Sequence, residues 1–303
     1  MTVKEKLKKS NLIRSYYTKS KNRLVKLSPV LATKFLYKKK TGKKLNLNKP
    51  RDFNEKLQWL KLYWQHPLVV QCGDKYEVRN YAKDLGCPEI LTEIYGIYNS
   101  VEELEWQTLP QKFALKVTNG CGFNIICENK SKLDKENTLN QLKNWLNTDF
   151  SLKNAELHYS KMKPRIICEK FIETNEGQLP VDYKIYCFNG NPEIILVTPE
   201  RETGFKRFIF DLDWNILNFE KGSTISKSEL PNEPRSLKRM IDYSRKLSKP
   251  FPFVRVDFYD YNDKPILGEM TFTPAAGMAT HYTDDALIEM GDMINLPEKI
   301  YNK

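Results

Sequence analysis

Apolar positions in the first 41 residues recur at mixed spacings of three and four: Leu7, Leu12, Ile13, Tyr16, Tyr17, Leu24, Val25, Leu27, Val30, Leu31, Phe35 and Leu36. That period predicts two amphipathic helices, over about 3–26 and 28–41, parted near Ser28-Pro29. After the turn Pro50-Arg51-Asp52, the apolar positions Leu57, Leu60 and Trp64 predict a helix over 53–64. Asp74 is a natural cap for a helix over 75–84 that stops at Gly86. Residues 88–98 read as short strand and turn, and 102–105 as the start of a short helix. The pattern then turns strand-like over 113–117, 123–127, 165–172, 183–188, 193–198, 207–211, 216–219, 253–259 and 266–271. Helical periods interrupt it at 134–149, 234–248 and 284–294. Turns such as Asn189-Gly190 join neighbouring strands and imply antiparallel pairing. Strands and helices are grouped rather than alternating, which gives an α+β class.

Composition narrows this picture. The chain has 303 residues, 40% hydrophobic and 29% charged, as a globular protein does. Its longest uncharged run, Met270 to Thr283, contains Pro274 and Gly277 and falls short of the roughly 20 apolar residues of a membrane span. The basic N-terminus lacks the apolar core and cleavage site of a signal peptide, so a cytoplasmic location is expected. Six cysteines without a C-x-x-C spacing argue against a zinc cluster or a disulfide framework. Three histidines leave few candidates for His-dependent chemistry. Charge is uneven: residues 1–50 hold 16 Lys or Arg and one acid, a net of +15, whereas the remainder is net −4. Such an arm suits an anionic membrane surface or an acidic polysaccharide, or else packs on the body with a solvated lysine face. No motif that reads nucleic acid is present, and no nucleic-acid partner is expected.

Candidate chemistry sits in three places. Asp257 and Glu269 lie on consecutive strands of the last hairpin, with Arg255 two before the first acid and Thr271 two after the second, each sharing its neighbour's face. Paired carboxylates of this kind suit Mg²⁺, which binds one or two protein acids and keeps phosphates and water as its other ligands. Alternatively they are two ordinary surface acids. Lys116 ends a strand just before Thr118-Asn119-Gly120-Cys121-Gly122, a glycine-rich turn whose amides could approach a nucleotide phosphate. It is not a Walker A loop, because no helix follows directly. Glu169-Lys170-Phe171-Ile172 ends a strand and opens into Glu173-Thr174-Asn175-Glu176, where backbone groups could meet an adenine edge and a carboxylate the ribose.

In order along the chain, Asp74-Lys75, Lys116 before its small-residue loop, Glu169-Lys170-Phe171-Ile172, Asp182-Tyr183-Lys184, Arg255-Val256-Asp257-Phe258 and Gly268-Glu269-Met270-Thr271 resemble the ATP-grasp superfamily. Together with Phe53-Asn54-Glu55-Lys56-Leu57-Gln58-Trp59 and Thr271-Phe272-Thr273-Pro274-Ala275-Ala276-Gly277, the set is most similar to the branch associated with teichuronopeptide and capsular polysaccharide biosynthesis, some members of which carry a glycosyltransferase label. The resemblance covers about residues 50–290. It implies an ATP-grasp fold in which two α+β subdomains clasp ATP: a basic helical arm over 1–50, an N-terminal α/β part over 51–110, a small subdomain with the phosphate loop over 111–178 and a large subdomain with the metal hairpin over 179–303. It implies that Lys75 and Lys116 touch the phosphates, with Thr118, Gly120 and Gly122 in the loop above them. Glu169, Lys170 and Ile172 would contact adenine, Glu176 the ribose, and Lys184 a phosphate or the substrate. Arg255 would steady the reacting carboxylate, and Asp257 and Glu269 would ligate Mg²⁺. Where the family commonly has asparagine, this chain has Thr271, a shorter neutral oxygen ligand.

The activity so implied is an ATP- and Mg²⁺-dependent carboxylate–amine ligase working through an acyl phosphate, with a uronic-acid-type sugar as the carboxylate and an amino acid or other amine as its partner. Surface-polysaccharide synthesis at the inner membrane face is the expected setting. Two other readings remain at this stage. A sugar-nucleotide glycosyltransferase would use an Asp-x-Asp pair, and Asp211-Leu212-Asp213 has that spacing, although Trp214-Asn215 makes a strand-end turn the simpler reading. A non-enzymatic protein that binds anionic polymers through its arm is the other. Arg201, Arg207 and His281 are further candidates for substrate contacts.

Overall fold

The computed structural model describes residues 3–173, 180–198, 207–222 and 226–301. Helices α1 (Val3–Leu27) and α2 (Pro29–Thr41) form where the apolar period places them. Ser28 parts them: its hydroxyl accepts from the Leu31 amide, and Pro29 begins α2 at a position where a missing N–H does no harm. Helix α2 ends at Gly42, whose φ is +75°. Asp52 caps α3 (Phe53–Tyr63) by accepting from Glu55 N. A short helix that the period did not reveal, α4 (Pro67–Gly73), is capped by His66 and is too short to show a repeat. Helix α5 (Glu77–Asp84) follows, with Asp74 accepting from the amides of Tyr76 and Glu77 at its entry.

Two antiparallel sheets follow. The smaller has the order β1-β4-β2-β3, from Ile94–Tyr98, Phe113–Val117, Asn124–Cys127 and Ile166–Lys170 as β1 to β4. It thus takes an edge strand from before residue 111. Helix α6 (Lys135–Leu146) packs on it, and Phe113, Leu115, Val117, Leu142, Ile166 and Cys168 form a core of their own. The larger sheet has the order β7-β6-β5-β8-β9, from Asp182–Phe188 (β5), Asn191–Thr198 (β6), Phe208–Phe210 (β7), Phe253–Tyr261 (β8) and Lys264–Thr271 (β9). Its core joins α8 (Leu237–Ser248), α9 (Asp284–Asp292) and α3 with Val25, Ala32, Leu36 and Tyr37 of the first two helices. The N-terminal helices are therefore fixed against the body. Between α6 and β4 the chain forms α7 (Ser151–Asn154) and the left-handed turn at Ala155, φ +55°.

Two local expectations fail for local reasons. Residues 102–105 make no helix; Glu103 instead accepts from the Asn99 amide, closing a turn before a single 3₁₀ turn at Trp106–Thr108. Residues 216–219 form no strand, because the chain after Trp214 (φ +63°) meets its neighbours only at the isolated bridges Phe210–Ile216 and Glu220–Tyr282. Among the described residues, no helix is long and apolar enough to cross a membrane.

Candidate active site

Register aligns the charged residues of the large sheet. Lys184 lies opposite Asp257, Asp257 opposite Glu269 and Arg255 opposite Thr271, so one face of three adjacent strands carries the whole set. Arg255 donates from Nε to Asp257 Oδ1 (2.6 Å) and from Nη2 to Asp257 Oδ2 (2.5 Å), a bidentate pair. Its Nη2 also reaches Thr271 Oγ1 at 3.1 Å and Glu269 Oε1 at 3.5 Å, and the Thr271 hydroxyl donates to Glu269 Oε1 at 3.2 Å. Nη1 donates to no protein acceptor among the described residues. Lys184 lies between Asp182, its hydrogen-bond partner, and Asp257 at 3.5 Å. Burial pushes the Asp257 carboxyl up to about 6, with Arg255 and Lys184 pulling the other way, so it is ionised at neutral pH. Glu269 is held below its ordinary value in spite of burial, because Lys75, Arg255 and Lys184 surround it.

The small sheet supplies the opposing wall. Lys116, at the end of β2, pairs with Glu169 of β4 at 2.5 Å. Burial works against its charge, yet Glu169 and then Tyr259 and Glu269 raise its pKa above the ordinary value. Its charge thus reaches across to the hairpin acid. Lys75 hydrogen-bonds the Gly120 carbonyl, and its amide donates to Thr118 O at 3.3 Å, which ties the α5 entry to the glycine-rich loop. Thr118 itself is buried, donating through its amide to Arg165 O and through its hydroxyl to Lys163 O. Gly122 turns the loop at φ +77°, a region that a side chain would strain. The amides of residues 119–122 donate to no protein acceptor among the described residues, leaving a row of N–H groups beside two ammonium ions.

Other expected residues lie further out. Lys170 is exposed, its ammonium 3.7 Å from Glu93, and its amide is taken by Glu93 O. Ile172 is half-buried just beyond the end of β4. Glu176 and Arg201 lie outside the described residues. Asp211 turns its carboxylate onto its own loop, accepting from Asp213 N, Asn215 N and Asn215 Nδ2, so the Asp-x-Asp spacing here serves a turn. Arg207 pairs with Glu220 at 2.6 Å and places its charge near His281, whose pKa burial lowers first.

The order of these parts now has a counterpart. The chain matches the family model described as TupA-like ATP-grasp over residues 55–295. It belongs to the TupA-like ATP-grasp family. It has the α+β ATP-grasp fold. Among solved structures it is similar to D-alanine–D-alanine ligase from Bacillus anthracis complexed with ATP, at 14% identity over 82% of this chain and 69% of that one, TM-score 0.44. It is also similar to D-alanine–D-alanine ligase from Helicobacter pylori (17% identity, 80% and 69%, 0.43) and to L-amino acid ligase from Bacillus licheniformis (11%, 71% and 44%, 0.39). No curated protein sequence matches it.

The charged cluster borders a cavity of about 630 Å³ whose lining includes Lys75, Cys121, Arg255, Glu269 and Thr271. That volume is within the range of small-ligand sites. Among the described residues no cluster of three or more His, Cys, Asp or Glu could hold a metal. A divalent ion here would have only Asp257 and Glu269 as carboxylates, which fits magnesium, an ion that completes its shell with phosphate and water. Four cations (Lys75, Lys116, Lys184, Arg255) are interleaved with four carboxylates (Glu169, Asp182, Asp257, Glu269), so the cluster is close to neutral. Several lining residues carried no signal in the sequence. Glu156 is buried and accepts from Thr273 Oγ1 at 2.6 Å, placed by the left-handed turn at Ala155. Asn154, at the end of α7, and Tyr159, in the 3₁₀ turn Leu157–Lys161, also line the cavity. Thr273 was findable, since it continues the period-two face of Glu269 and Thr271. His158 is half-buried and held neutral, its pKa lowered to about 3 by burial and then Lys61. All six cysteines are free, and only Cys121 is exposed.

Proposed function

We propose that this ATP-dependent carboxylate–amine ligase amidates a uronic-acid-type sugar with an amino acid or amine during surface-polysaccharide synthesis. The observation that carries the reading is the clustering of Lys75, Lys116, Lys184 and Arg255 around Glu269 and Asp257, with Lys75, Arg255 and Glu269 of that cluster lining one cavity. Lys75, Lys116 and the free amides of 119–122 would hold the phosphates of ATP. Asp257, Glu269 and, through its hydroxyl, Thr271 would hold magnesium, which when bound neutralises charge between the phosphates. The free Nη1 edge of Arg255 would take the substrate carboxylate and align it with the γ-phosphorus. Attack by that carboxylate gives an acyl phosphate and ADP; an amine then displaces inorganic phosphate to leave the amide and a proton. Such chemistry rests on positioning and charge, and requires no histidine.

The setting at a membrane face rests on the arm. Ile13, Tyr16, Leu27, Leu31 and Phe35 are exposed on α1 and α2, on a surface that also carries Lys19, Arg23, Lys26, Lys34 and Lys38. Apolar groups among bases are the composition of an interfacial helix on anionic lipid. The activity is tested by measuring ADP and phosphate release from ATP over a panel of uronic acids and amines. Turnover that requires both an acid and an amine supports the ligase, and UDP release from a sugar nucleotide with ATP inert overturns it. Co-sedimentation with phosphatidylserine vesicles, lost in Leu31→Ser/Phe35→Ser, tests the setting.

A further inference from the structure

The cavity has a second wall that the nucleotide chemistry does not use. Opposite Arg255 and Glu269 it is lined by Tyr17, Lys21, Lys39 and Lys40 of the N-terminal helices and by Lys153 of α7. These groups are held in place. Lys21 Nζ donates to Lys153 O at 3.1 Å, and Lys39 Nζ donates to Tyr17 Oη at 2.8 Å while lying 4.0 Å from its ring centre. Val25, Leu36 and Tyr37 anchor the same helices in the core. Among the described residues, none of the four lysines pairs with a carboxylate. Glu156, the acid nearest along the lining, is buried and already bonded by Thr273 and Asn154. The wall is thus a surplus of positive charge beside a cluster that balances its own. Lys21 registers the strain: burial first, then Lys153 and Lys39, lowers its pKa. Like charges gathered at a cavity wall are relieved only by an anion.

We propose that this wall is an acceptor subsite: Lys21, Lys39, Lys40 and Lys153 hold further negative groups of a polyanionic acceptor whose reacting carboxylate lies at Arg255. The assignment rests on the ligase reading for the placement of the reacting end, but the lysine wall itself does not depend on ATP. The cavity runs from one cationic set to the other, so an acceptor with regularly repeated acids can occupy both, whereas a monomeric acid fills only the inner end. Selectivity for a chain over a single unit follows from that length.

The test uses the full chain and the triple variant Lys21→Gln/Lys40→Gln/Lys153→Gln, none of whose positions belongs to the nucleotide cluster. Calorimetry with a uronic acid pentamer, in the absence of ATP, is expected to show binding that weakens at least about tenfold in the triple variant and falls with added salt. Monomeric uronic acid is expected to bind far more weakly and equally to both proteins. Thermal shift with MgATP is expected to be the same for both and shows that the variant is folded. Equal affinity of the two proteins for the pentamer, or equal affinity of pentamer and monomer, overturns the proposal. A pentaglutamate peptide that binds as tightly as the sugar pentamer supports the charge pattern and removes the sugar as its source. Failure of MgATP to stabilise either protein, with pentamer binding intact, sinks the ligase reading and leaves the subsite standing.

Discussion

Asp257→Asn is the most direct perturbation of the site, because its effects on stability and on activity are set by different contacts. Asparagine keeps the shape of the side chain, but it removes the charge and turns an NH₂ against the guanidinium that now donates at 2.6 and 2.5 Å. Stripping one member from a buried ion pair costs about 3–5 kcal/mol. Two features reduce that here. Thr271 and Glu269 still receive Arg255 Nη2 at 3.1 and 3.5 Å. Burial has also raised the Asp257 pKa to about 6 against the pull of Arg255 and Lys184, so removing its charge relieves part of its desolvation. The expected net loss is about 1–3 kcal/mol, a fall of roughly 2–5 °C in Tm for a chain of this size. ADP release should fall about 10²- to 10³-fold, the usual effect of removing a preorganised charge from a reacting centre. The double variant Arg255→Met/Asp257→Asn should regain most of the lost stability and stay inactive, with a coupling of about 1–3 kcal/mol. Calorimetric melts at pH 7 and coupled ADP release measure both. An Asp257→Asn enzyme retaining more than a tenth of its activity refutes the assignment, and strictly additive Tm losses refute the pairing.

Cys121, exposed in the glycine-rich loop beside Lys75 and Glu269, should be alkylated slowly because burial first raises its thiol pKa; MgATP should slow the reaction further, and mass spectrometry of the labelled peptide showing no protection would count against phosphates in that loop. Lys61 is buried, donates to Asn154 O at 3.0 Å and is lowered by burial to about 8, Glu156 opposing. Above that value the unfolded chain binds the extra proton, so this residue makes stability rise from pH 8 to 10, by at most about 1.4 kcal/mol per unit; denaturant titrations should show that slope flattened in Lys61→Met. Lys116→Met strands Glu169 at 7% exposure and should lose about 2–4 kcal/mol and the affinity for MgATP together, whereas Lys170→Met, whose ammonium lies beside the exposed Glu93, should change stability by less than about 0.5 kcal/mol in urea melts.

Much of the site was legible because β-strand alternation turns spacing into geometry. Arg255 and Asp257 interrupt the otherwise apolar first part of the strand Phe253–Tyr261, at the same face, and charge in such a run stands out. The same period put Glu269 and Thr271 together, and register did the rest. The helices α1, α2 and α3 were legible within a residue or so because their apolar stripes are long and end in capping residues. What spacing could not show was which distant segments share a cavity. Lys21 and Lys40 read as solvated lysines, yet packing of Val25 and Leu36 turns their neighbours towards Arg255. Glu169 sat among the adenine-contact residues in the motif; on β4 it lies opposite Ala114 and forms an ion pair with Lys116, two residues along β2, a relation only the sheet order reveals. Glu156 depends on a left-handed alanine, which no propensity anticipates.

The two sequence stretches specific to the closer resemblance prove to be one structure. Asn54 and Gln58, four apart, present both amides on one face of α3. Asn54 exchanges two hydrogen bonds with Ala279, donating at 2.8 Å and accepting at 2.9 Å. Gln58 Nε2 donates to the carbonyls of Ala276 (2.8 Å) and Gly277 (2.7 Å). Between them run three consecutive left-handed residues, Ala275, Ala276 and Gly277, at φ +50°, +56° and +66°. Two are alanines, each disfavoured there by about 1–2 kcal/mol, so the amides of α3 offset a strain that the chain would otherwise release. Ala275 and Ala276 line the cavity, and β9 with Glu269 runs directly into them. The staple therefore sets the cavity rim relative to the hairpin acid. Gln58→Ala should lose about 2–3 kcal/mol by freeing two buried carbonyls, and hydrogen exchange at Met278 and Ala279 should rise well before global unfolding. Acceptor KM should rise while MgATP affinity holds, because Lys75 and Lys116 stand on other elements. Unchanged exchange at those amides, or an equal loss of nucleotide and acceptor binding, would show that the rim is held by something other than α3.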